Sequence, residues 1–183
     1  MKKYLLALFS LLILSHTAWA ALTIETDIVI DGLTYHFFNY GDPAKDYFSI
    51  SSPKEGNYSG DIVIPSTVKY KGNTYEVRGI AAYCFCYDRQ VTSVTIPNTV
   101  TEIGINAFLD CQGLSELTIP SSVKTVGEAA FGACTLQPLN IEGKWSEYVK
   151  ALSKLNTSSY ICAPTTEQSK IRSAFKGTVA NPG

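Results

Sequence analysis

Residues 91–113 have the sequence VTSVTIPNTVTEIGINAFLDCQG, and residues 114–136 follow directly with LSELTIPSSVKTVGEAAFGACTL. The two segments match at a spacing of 23 residues, so that the Ile-Pro pair at Ile96 recurs at Ile119. A third segment begins the same pattern and loses it after Ile141. Self-similarity at a fixed spacing of this length is typical of repeat proteins, in which each unit stacks on the next. The sequence therefore predicts a short solenoid.

The first half of each unit predicts a short strand. In the second copy, polar and apolar residues alternate: Glu116 and Thr118 are polar, and Leu117 and Ile119 are apolar. Because successive side chains of a strand point to opposite faces, the apolar pair faces the interior and the polar pair faces solvent. Stacking the same strand from each unit forms a parallel sheet with strands about 4.8 Å apart. A β-rich solenoid with a 23-residue period is therefore expected.

The second half of each unit predicts a return segment that fills the interior. Gly127 is expected to permit a tight bend, and Ala130 to let neighbouring coils approach closely. One phenylalanine recurs at the same place in each coil. We expect these rings to form a buried stack along the solenoid axis, since large aromatic side chains dominate core packing. The three residues are Phe85, Phe108 and Phe131.

The solenoid begins before the two clear copies. Ile64 opens an earlier unit, but the next Ile-Pro pair lies 32 residues later instead of 23. The extra nine residues are 69–77, which alternate in polarity around Gly72-Asn73. Such a pattern predicts a β-hairpin with its turn at these two residues. We therefore predict a solenoid over residues 64–141 with a hairpin inserted in its first coil.

The N-terminal segment has the three parts of a secretory signal peptide. Lys2 and Lys3 are basic, Leu5 to Leu14 is apolar, and small residues surround a cleavage site after Ala20. The apolar run is shorter than the ~20 residues of a transmembrane helix. Residues 1–20 are therefore expected to be removed, leaving a secreted or cell-surface protein without a membrane span.

The remaining chain has the size of one ordinary domain. The fifteen basic residues of the whole chain, less Lys2 and Lys3, leave 13 against 16 acidic residues. No cluster of Lys and Arg is present, so the composition argues against nucleic acid as a partner. We expect a monomer or a weakly associating protein whose partner is a protein or a glycan.

Residues 21–63 predict an N-terminal cap made of β-hairpins. Two alternating segments flank Asp31-Gly32, a pair that favours the positive φ values of a type I′ turn. A further strand is expected at Tyr47 to Ser51. These strands would cover the apolar end that a solenoid otherwise leaves open.

Residues 142–183 predict a C-terminal cap. Apolar residues between Trp145 and Leu152 follow helical spacing, and a second helix is expected from Thr165 or Thr166 to Phe175. The spacing of Thr165 and Gln168 predicts a capping box at its start. One last strand is predicted between the two helices, at 159–162.

The cysteines favour neither a disulfide framework nor a metal site. The count after residue 20 is odd, and Cys111 and Cys134 occupy equivalent repeat positions where a free thiol acts as a small hydrophobe. Cys84 and Cys86 are separated by one residue, too close for the usual zinc spacing, and no histidine is near. We predict no bound metal. The remaining cysteine is Cys162.

The sequence offers no catalytic constellation. His36 is the only histidine after residue 20, and no nucleophile is placed beside it by the sequence. Acidic residues of the repeats change between copies, as solvated positions do, so a paired-carboxylate hydrolase has no support. No phosphate-binding glycine loop is present. We predict a protein that is not an enzyme and needs no cofactor.

A binding surface is predicted on the outward face of the stacked strands. Its residues are polar and mildly acidic, as suits contact with a protein or a glycan; the alternative is that they simply face water. Tyrosines of the inserted hairpin, Tyr70 and Tyr75, and of the nearby coil, Tyr83 and Tyr87, would add exposed rings. The alternative for these tyrosines is that they are strand residues that pack on the cap. The outward strand positions are Ser93, Thr95, Glu116, Thr118, Pro138 and Asn140.

The strand pattern Leu-x-x-Leu-x-Ile-Pro and the return pattern Ile-Gly-x-x-Ala-Phe-x-x-Cys resemble the BspA-type leucine-rich repeat proteins, found on the surface of bacteria or secreted by them. The resemblance covers Ile64 to Ile141. This chain has only about three clear coils, and Thr99 and Ser122 stand where ordinary leucine-rich repeats carry asparagine. The resemblance implies a leucine-rich repeat solenoid that acts in binding or adhesion.

Three classes of function remain open at this point. The first is a recognition module for a macromolecule at or outside the cell surface. The second is a structural subunit that assembles through the ends of its solenoid. The third, with least support, is a hydrolase. Specificity is expected where the repeat is broken, at residues 69–77 and on the outward strand positions beside them.

Overall fold

The computed structural model describes residues 22–144, 149–152 and 154–181. The predicted signal peptide lies outside these residues, as do Trp145 and Tyr148 of the predicted first C-terminal helix. No helix within the described part of the chain is both long and apolar enough to cross a membrane.

The strands are β1 Thr23–Ile30, β2 Leu33–Asn39, β3 Tyr47–Ser51, β4 Ser59–Val63, β5 Thr67–Tyr70, β6 Asn73–Ile80, β7 Gln90–Thr95, β8 Glu102–Ile103, β9 Leu117–Ile119, β10 Thr125–Val126, β11 Leu139–Ile141, β12 Tyr160–Cys162 and β13 Thr178–Ala180.

The strands stack in parallel, as expected for a solenoid. One ladder joins β3, β6, β8 and β10, and Ile80, Ile103 and Val126 lie opposite one another in it. A second ladder joins β9, β11, β12 and β13, with Leu117 opposite Leu139. Strand β4 pairs with β7. The coils that begin with β4, β7 and β9 thus contribute one strand to each side, and the apolar side chains of both sides meet in the interior.

The N-terminal strands extend one of these ladders. Strands β1 and β2 form the predicted antiparallel hairpin, and Asp31 and Gly32 adopt φ angles of 50° and 81° at its turn. Strand β3, also predicted, pairs antiparallel with β2 and parallel with β6. The hairpin is therefore continuous with the return side of the solenoid.

The inserted hairpin is present, but its turn differs from the prediction. Strands β5 and β6 pair antiparallel with Tyr70 opposite Asn73, so the turn residues are Lys71 and Gly72. Their φ angles are 48° and 84°, which fit a type I′ turn. The predicted turn at Gly72-Asn73 is wrong because Asn73 already pairs across the ladder. The second arm continues as the return strand to Ile80.

The predicted phenylalanine stack forms the centre of the core. Phe85, Phe108 and Phe131 are fully buried. The ring centroids of Phe85 and Phe108 are 5.1 Å apart at an interplanar angle of 15°, and those of Phe108 and Phe131 are 5.8 Å apart at 20°. Tyr58 continues the row, with its ring 5.3 Å from that of Phe85. The repeated position therefore builds one aromatic column through the coils.

Gly127 is required for a reason other than the predicted bend. A Cβ atom on Gly127 would lie 2.3 Å from the backbone nitrogen of Ile105, in the preceding coil. A Cβ on Gly104 would meet the backbone nitrogen of Ala82 at the same distance. The two glycines therefore permit close backbone approach between coils. The left-handed φ angles of the bends belong instead to other residues: Tyr83, Tyr87, Asn106, Asp110, Ala129 and Ala133.

The C-terminal region contains the predicted helix α1, Thr165–Ala174, and the predicted strand as β12. The predicted capping box is wrong. The Thr165 hydroxyl donates to Asn181 Oδ1 at 2.7 Å, and Gln168 Nε2 donates to the same atom at 2.7 Å. Both side chains therefore bind Asn181, which follows β13, and neither caps the backbone of the helix. Residues Val149–Leu152, the end of the other predicted helix, form a 3₁₀ helix.

Candidate binding groove

The parallel strands align the outward residues of neighbouring coils in rows. Because Leu117, Thr118 and Ile119 lie opposite Leu139, Asn140 and Ile141, Thr118 and Asn140 occupy one row. Strand β7 lies beside β9 on the other side, where Thr95 holds the equivalent repeat position. Ser93 and Glu116 belong to the adjacent row, two residues earlier in the sequence than Thr95 and Thr118. The buried partners between these positions, Val94 and Leu117 among them, fix the backbone that presents the rows.

An open groove of about 440 Å³ lies over these rows. It brings together Ser93, Thr95, Glu116 and Thr118, four residues of the predicted binding surface. The carboxylate and the hydroxyls give this groove a polar lining, and nearly buried strand residues form part of its floor. The remaining lining residues are Val94, Ile96, Asn98, Leu117, Pro120 and Glu142.

Asn140 does not line the groove directly, but it holds one of the lining hydroxyls. Its Nδ2 atom donates a hydrogen bond to Thr118 Oγ1 at 3.2 Å. Asn140 is itself only partly exposed. The predicted residue therefore lies at the border of the groove and positions Thr118 from the next coil.

A carboxylate of strand β4 extends the polar row at the other border. Asp61 pairs across the ladder with Ser93, and its Oδ1 atom accepts hydrogen bonds of 2.7 Å from both Thr92 Oγ1 and Ser93 Oγ. These hydroxyls, with Thr92 contributing most, hold the pKa of the Asp61 carboxyl below its usual value. Asp61 is consequently ionised at neutral pH, and the Ser93 hydroxyl is oriented toward it.

The groove is negatively charged. Glu116 and Glu142 are exposed carboxylates, and none of the ten lining residues is Lys, Arg or His. Neither glutamate forms an ion pair within the described residues. Asp61 adds a third carboxylate at the border. The groove therefore presents acceptors and negative charge to whatever enters it.

Asn98, Pro120 and Glu142 line the groove without having been predicted. The signal for Glu142 is the repeat itself, because Ile141 pairs with Ile119 and Glu142 therefore occupies the position of Pro120. The deletion of one residue in the third unit, which changes the spacing from 23 to 22, conceals this equivalence in the sequence. Asn98 follows Pro97 in the loop after the strand, a place that alternation within strands does not cover.

Tyr70 and Tyr75 lie elsewhere, on the inserted hairpin. Tyr75 is only 8% exposed, and its ring centroid is 4.8 Å from that of Phe37. The expectation of an exposed ring at Tyr75 is therefore wrong, because the hairpin packs on the N-terminal strands. Tyr70 is partly buried against Phe37 and Phe48, and its hydroxyl donates to Glu25 Oε2 at 2.8 Å.

Tyr83 and Tyr87 are exposed, as expected, by 54% and 57%. Both have left-handed φ angles at the bend of their coil, and neither lines the groove. They are therefore a separate pair of exposed rings. No tyrosine is among the residues that line the groove.

The titratable groups that a hydrolase would need are not gathered in the groove. His36 lies on β2 opposite Ser49 and does not line it, and partial burial lowers the pKa of its imidazole. Glu116 and Glu142 lie about 13 Å apart along the strand direction, four residues at about 3.3 Å each. Within the described residues, no group of three or more His, Cys, Asp or Glu side chains is arranged to hold a metal ion.

The chain matches a known family over more than half of its length. The model for the BspA type leucine rich repeat region matches residues 78–180 with six copies. This match extends past Ile141, where the clear sequence repeat ends, through strands β12 and β13. No curated protein matches the chain.

The chain is similar to solved structures of bacterial leucine-rich repeat proteins. A leucine-rich repeat protein from Bacteroides ovatus is 23% identical, with a TM-score of 0.52 over 85% of this chain and 41% of its own. A leucine rich cell surface protein from Faecalibacterium prausnitzii is 28% identical, with a TM-score of 0.48 over 81% of this chain and 41% of its own. The chain thus spans about two fifths of the length of either structure. The repeat pattern, the parallel ladders and the family match agree, and the chain belongs to the family of BspA-type leucine-rich repeat proteins.

Proposed function

We propose that the chain is an exported binding module that recognises a macromolecule through the groove over β7 and β9. The observation that carries this proposal is that Ser93, Thr95, Glu116 and Thr118 converge in that groove. The strands that present them are held by a buried core, so the polar surface is rigid before any partner arrives. A preorganised surface loses less conformational entropy on binding than a flexible one. The leucine-rich repeat is also typically a binding fold rather than a catalytic one.

Export and attachment to the cell surface belong to the same proposal. The three-part pattern of residues 1–20 supports secretion, and the family match is consistent with a surface or secreted protein. We propose cleavage after Ala20. An N-terminal sequence determined on the exported protein tests this site directly.

The proposed cap regions, 21–63 and 142–183, would keep the solenoid ends from exposing apolar surface. Two observations support them. Tyr35 and Phe37 of β2 are buried against the first coil, and Ile171 of α1 is buried at the other end. Because a repeat unit cannot bury its own faces, terminal elements of this kind are needed for solubility. Deletion of residues 165–181 should therefore cause aggregation.

The test of the binding function compares two triple variants. Alanine at Glu116, Thr118 and Asn140 removes polar groups of the groove and its border. The matched control places alanine at Glu102, Thr125 and Glu128, three exposed residues of the return half. Both variants should retain the melting temperature of the wild type, since surface substitutions rarely change stability by more than about 0.5 kcal/mol.

The wild type and the control should capture the same partner from arrays of extracellular-matrix proteins, bacterial surface proteins and glycans. The groove variant should lose this capture. Equal capture by all three proteins would exclude the groove as the recognition surface.

A structural role remains the second candidate, and one observation favours it. Strand β13 pairs only with β12, so its other edge is open within the described residues. An open edge is a template for pairing with another chain. Light scattering at increasing concentration distinguishes the two functions, because assembly through this edge raises the mean mass and a persistent monomer argues against it.

A further inference from the structure

We infer that the ligand of the groove is an extended basic peptide segment that places two cationic side chains four residues apart. This inference rests on the proposed function, since it names the partner class of the same groove. Three features of the groove carry it: the sign of its charge, the spacing of its two carboxylates, and the composition of its floor.

The charge of the groove selects a cationic partner. Glu116 and Glu142 are exposed and have no cationic partner within the described residues, and no lining residue is basic. Asp61 at the border adds negative charge and is kept ionised by two hydroxyl donors. Complementary charge steers association and excludes partners of the same sign. Acidic segments are therefore rejected, and Lys or Arg side chains are favoured.

The spacing of the carboxylates selects an extended chain. Glu142 holds the position of Pro120 in the next coil, four residues beyond the position of Glu116. At about 3.3 Å per residue this separates the backbone positions of the two glutamates by about 13 Å along the strands, and the neighbouring strand adds about 4.8 Å sideways. An extended peptide spans the same distance with residues i and i+4, whereas a helix of four residues rises only about 6 Å.

The floor between the carboxylates leaves a narrow apolar strip for the stems of basic side chains. Ile96, Leu117 and Pro120 lie beneath the groove and are nearly buried, so the methylene groups of Lys or Arg meet only a small apolar surface while their charged ends reach the carboxylates. Thr95 and Thr118 supply hydroxyls at the centre, within reach of peptide amides. No aromatic ring is among the lining residues, so a sugar would find no stacking surface in this part of the groove.

The test is a selection from a displayed library of random twelve-residue peptides on the full mature chain. Binders are counter-selected on a variant carrying Thr95→Arg and Thr118→Arg, which fills the groove and offsets the charge of its two glutamates. Circular dichroism and the melting temperature confirm that this variant is folded; if it is not, Glu116→Lys and Glu142→Lys, which reverse the charge at two exposed positions, serve as the counter-selection.

Sequences enriched on the wild type should carry Lys or Arg at positions i and i+4. Groove-dependent binders without basic residues, or groove-dependent capture on a glycan array in place of peptides, would overturn this inference and leave the proposed function standing. The absence of any groove-dependent binder on peptide, protein and glycan arrays would overturn both.

Two single variants then measure how much each glutamate contributes to peptide affinity. Glu116→Gln and Glu142→Gln should each lower the affinity for a selected peptide by about three- to tenfold. This is the range expected for one charge pair that is exposed or partly desolvated. Glu128→Gln, on the return half, should leave the affinity unchanged. The affinity of the wild type should fall as salt rises, because exposed ion pairs are screened. Equal affinities for Glu116→Gln, Glu142→Gln and wild type would contradict the two-site geometry.

Discussion

The Cys134 thiol donates a hydrogen bond to the carbonyl oxygen of Phe108 at 2.8 Å, and Cys111 makes the same bond to Phe85 at 2.7 Å. Each cysteine therefore joins its own coil to the one before it, through the residue that forms the aromatic column. In the first coil the equivalent position is Asp88, which is 23 residues before Cys111. Its Oδ2 atom accepts a hydrogen bond from the Tyr58 amide at 3.1 Å. The same repeat position thus links successive coils through a thiol donor in two coils and through a carboxylate acceptor in another.

The repeat cysteines should be inert in the folded protein. Cys134 is fully buried, and burial raises the pKa of its thiol to about 11. At pH 8 only about one molecule in a thousand then carries the reactive thiolate at this site, since reactivity follows the thiolate fraction. Cys86 is the most exposed of the five cysteines. Iodoacetamide should modify Cys86 first, and Cys134 only at the rate of unfolding.

Peptide mass spectrometry after timed labelling measures this order. If Cys134 were labelled as fast as Cys86 without denaturant, the reagent would be reaching the core of the folded protein. Addition of denaturant provides the control, because it should make both sites react at similar rates.

The aromatic column should dominate the stability of the solenoid. Phe108 has ring neighbours on both sides and no exposed surface. Replacement by alanine should lower the free energy of unfolding by about 3–5 kcal/mol, the usual loss for a buried phenylalanine. Ile105→Ala, at a residue that is 50% exposed, is the matched control and should cost much less. Urea melts of both variants measure the difference, and a loss under about 1 kcal/mol for Phe108→Ala would place it outside the core.

The close approach at Gly127 predicts that even one methyl group is costly. The Cβ atom of Gly127→Ala would overlap the backbone of Ile105, which cannot move aside as a flexible side chain does. We expect a loss of at least about 1–3 kcal/mol, the usual cost of overpacking. Glu128→Ala changes the next, exposed residue and should be nearly neutral. A melting temperature of Gly127→Ala equal to that of Glu128→Ala would mean that the coils separate easily at this point.

The alternation of polar and apolar residues was enough to predict which strand residues face outward. Four of them line the groove because equivalent positions in stacked coils must be neighbours. The pattern was not enough for Tyr75, because its burial depends on how the inserted hairpin packs against Phe37, a residue of a distant strand. Local sequence describes a hairpin but not the surface on which it docks.

Two other differences have the same physical origin. The repeat indicates that glycine is required at Gly127, but two different causes are possible from sequence alone. Glycine is needed both where the φ angle is positive and where a neighbouring backbone comes close. Thr165 and Gln168 have the spacing of a capping box, yet Asn181 offers both of them an acceptor from the last strand. In each case a contact with another part of the chain decides the outcome, and spacing within one segment contains no information about that contact.

Asp88 should make stability depend on pH in the direction opposite to that of an aspartate whose pKa is lowered by an ion pair. Burial raises the pKa of its carboxyl, and the hydrogen bond from the Tyr58 amide offsets this only in part. A carboxyl with a raised folded-state pKa contributes stability that is fully present below the unfolded pKa, about 3.9, and is lost as pH rises through the folded pKa. Asp88→Asn keeps an acceptor for the amide and removes the charge. Its stability relative to the wild type should therefore increase from pH 3 to pH 7.

Asp110 is the matched control, with the opposite sign. The Arg89 guanidinium, and after it the Gln112 amide, hold the pKa of the Asp110 carboxyl below its usual value. Its contribution is present above the unfolded pKa and is lost as pH falls through the folded pKa. Asp110→Asn should therefore lose stability relative to the wild type as pH rises, whereas Asp88→Asn gains it. Urea melts of the three proteins at pH 3, 5 and 7 measure both slopes, and slopes of the same sign would contradict the burial of an unpaired charge at Asp88.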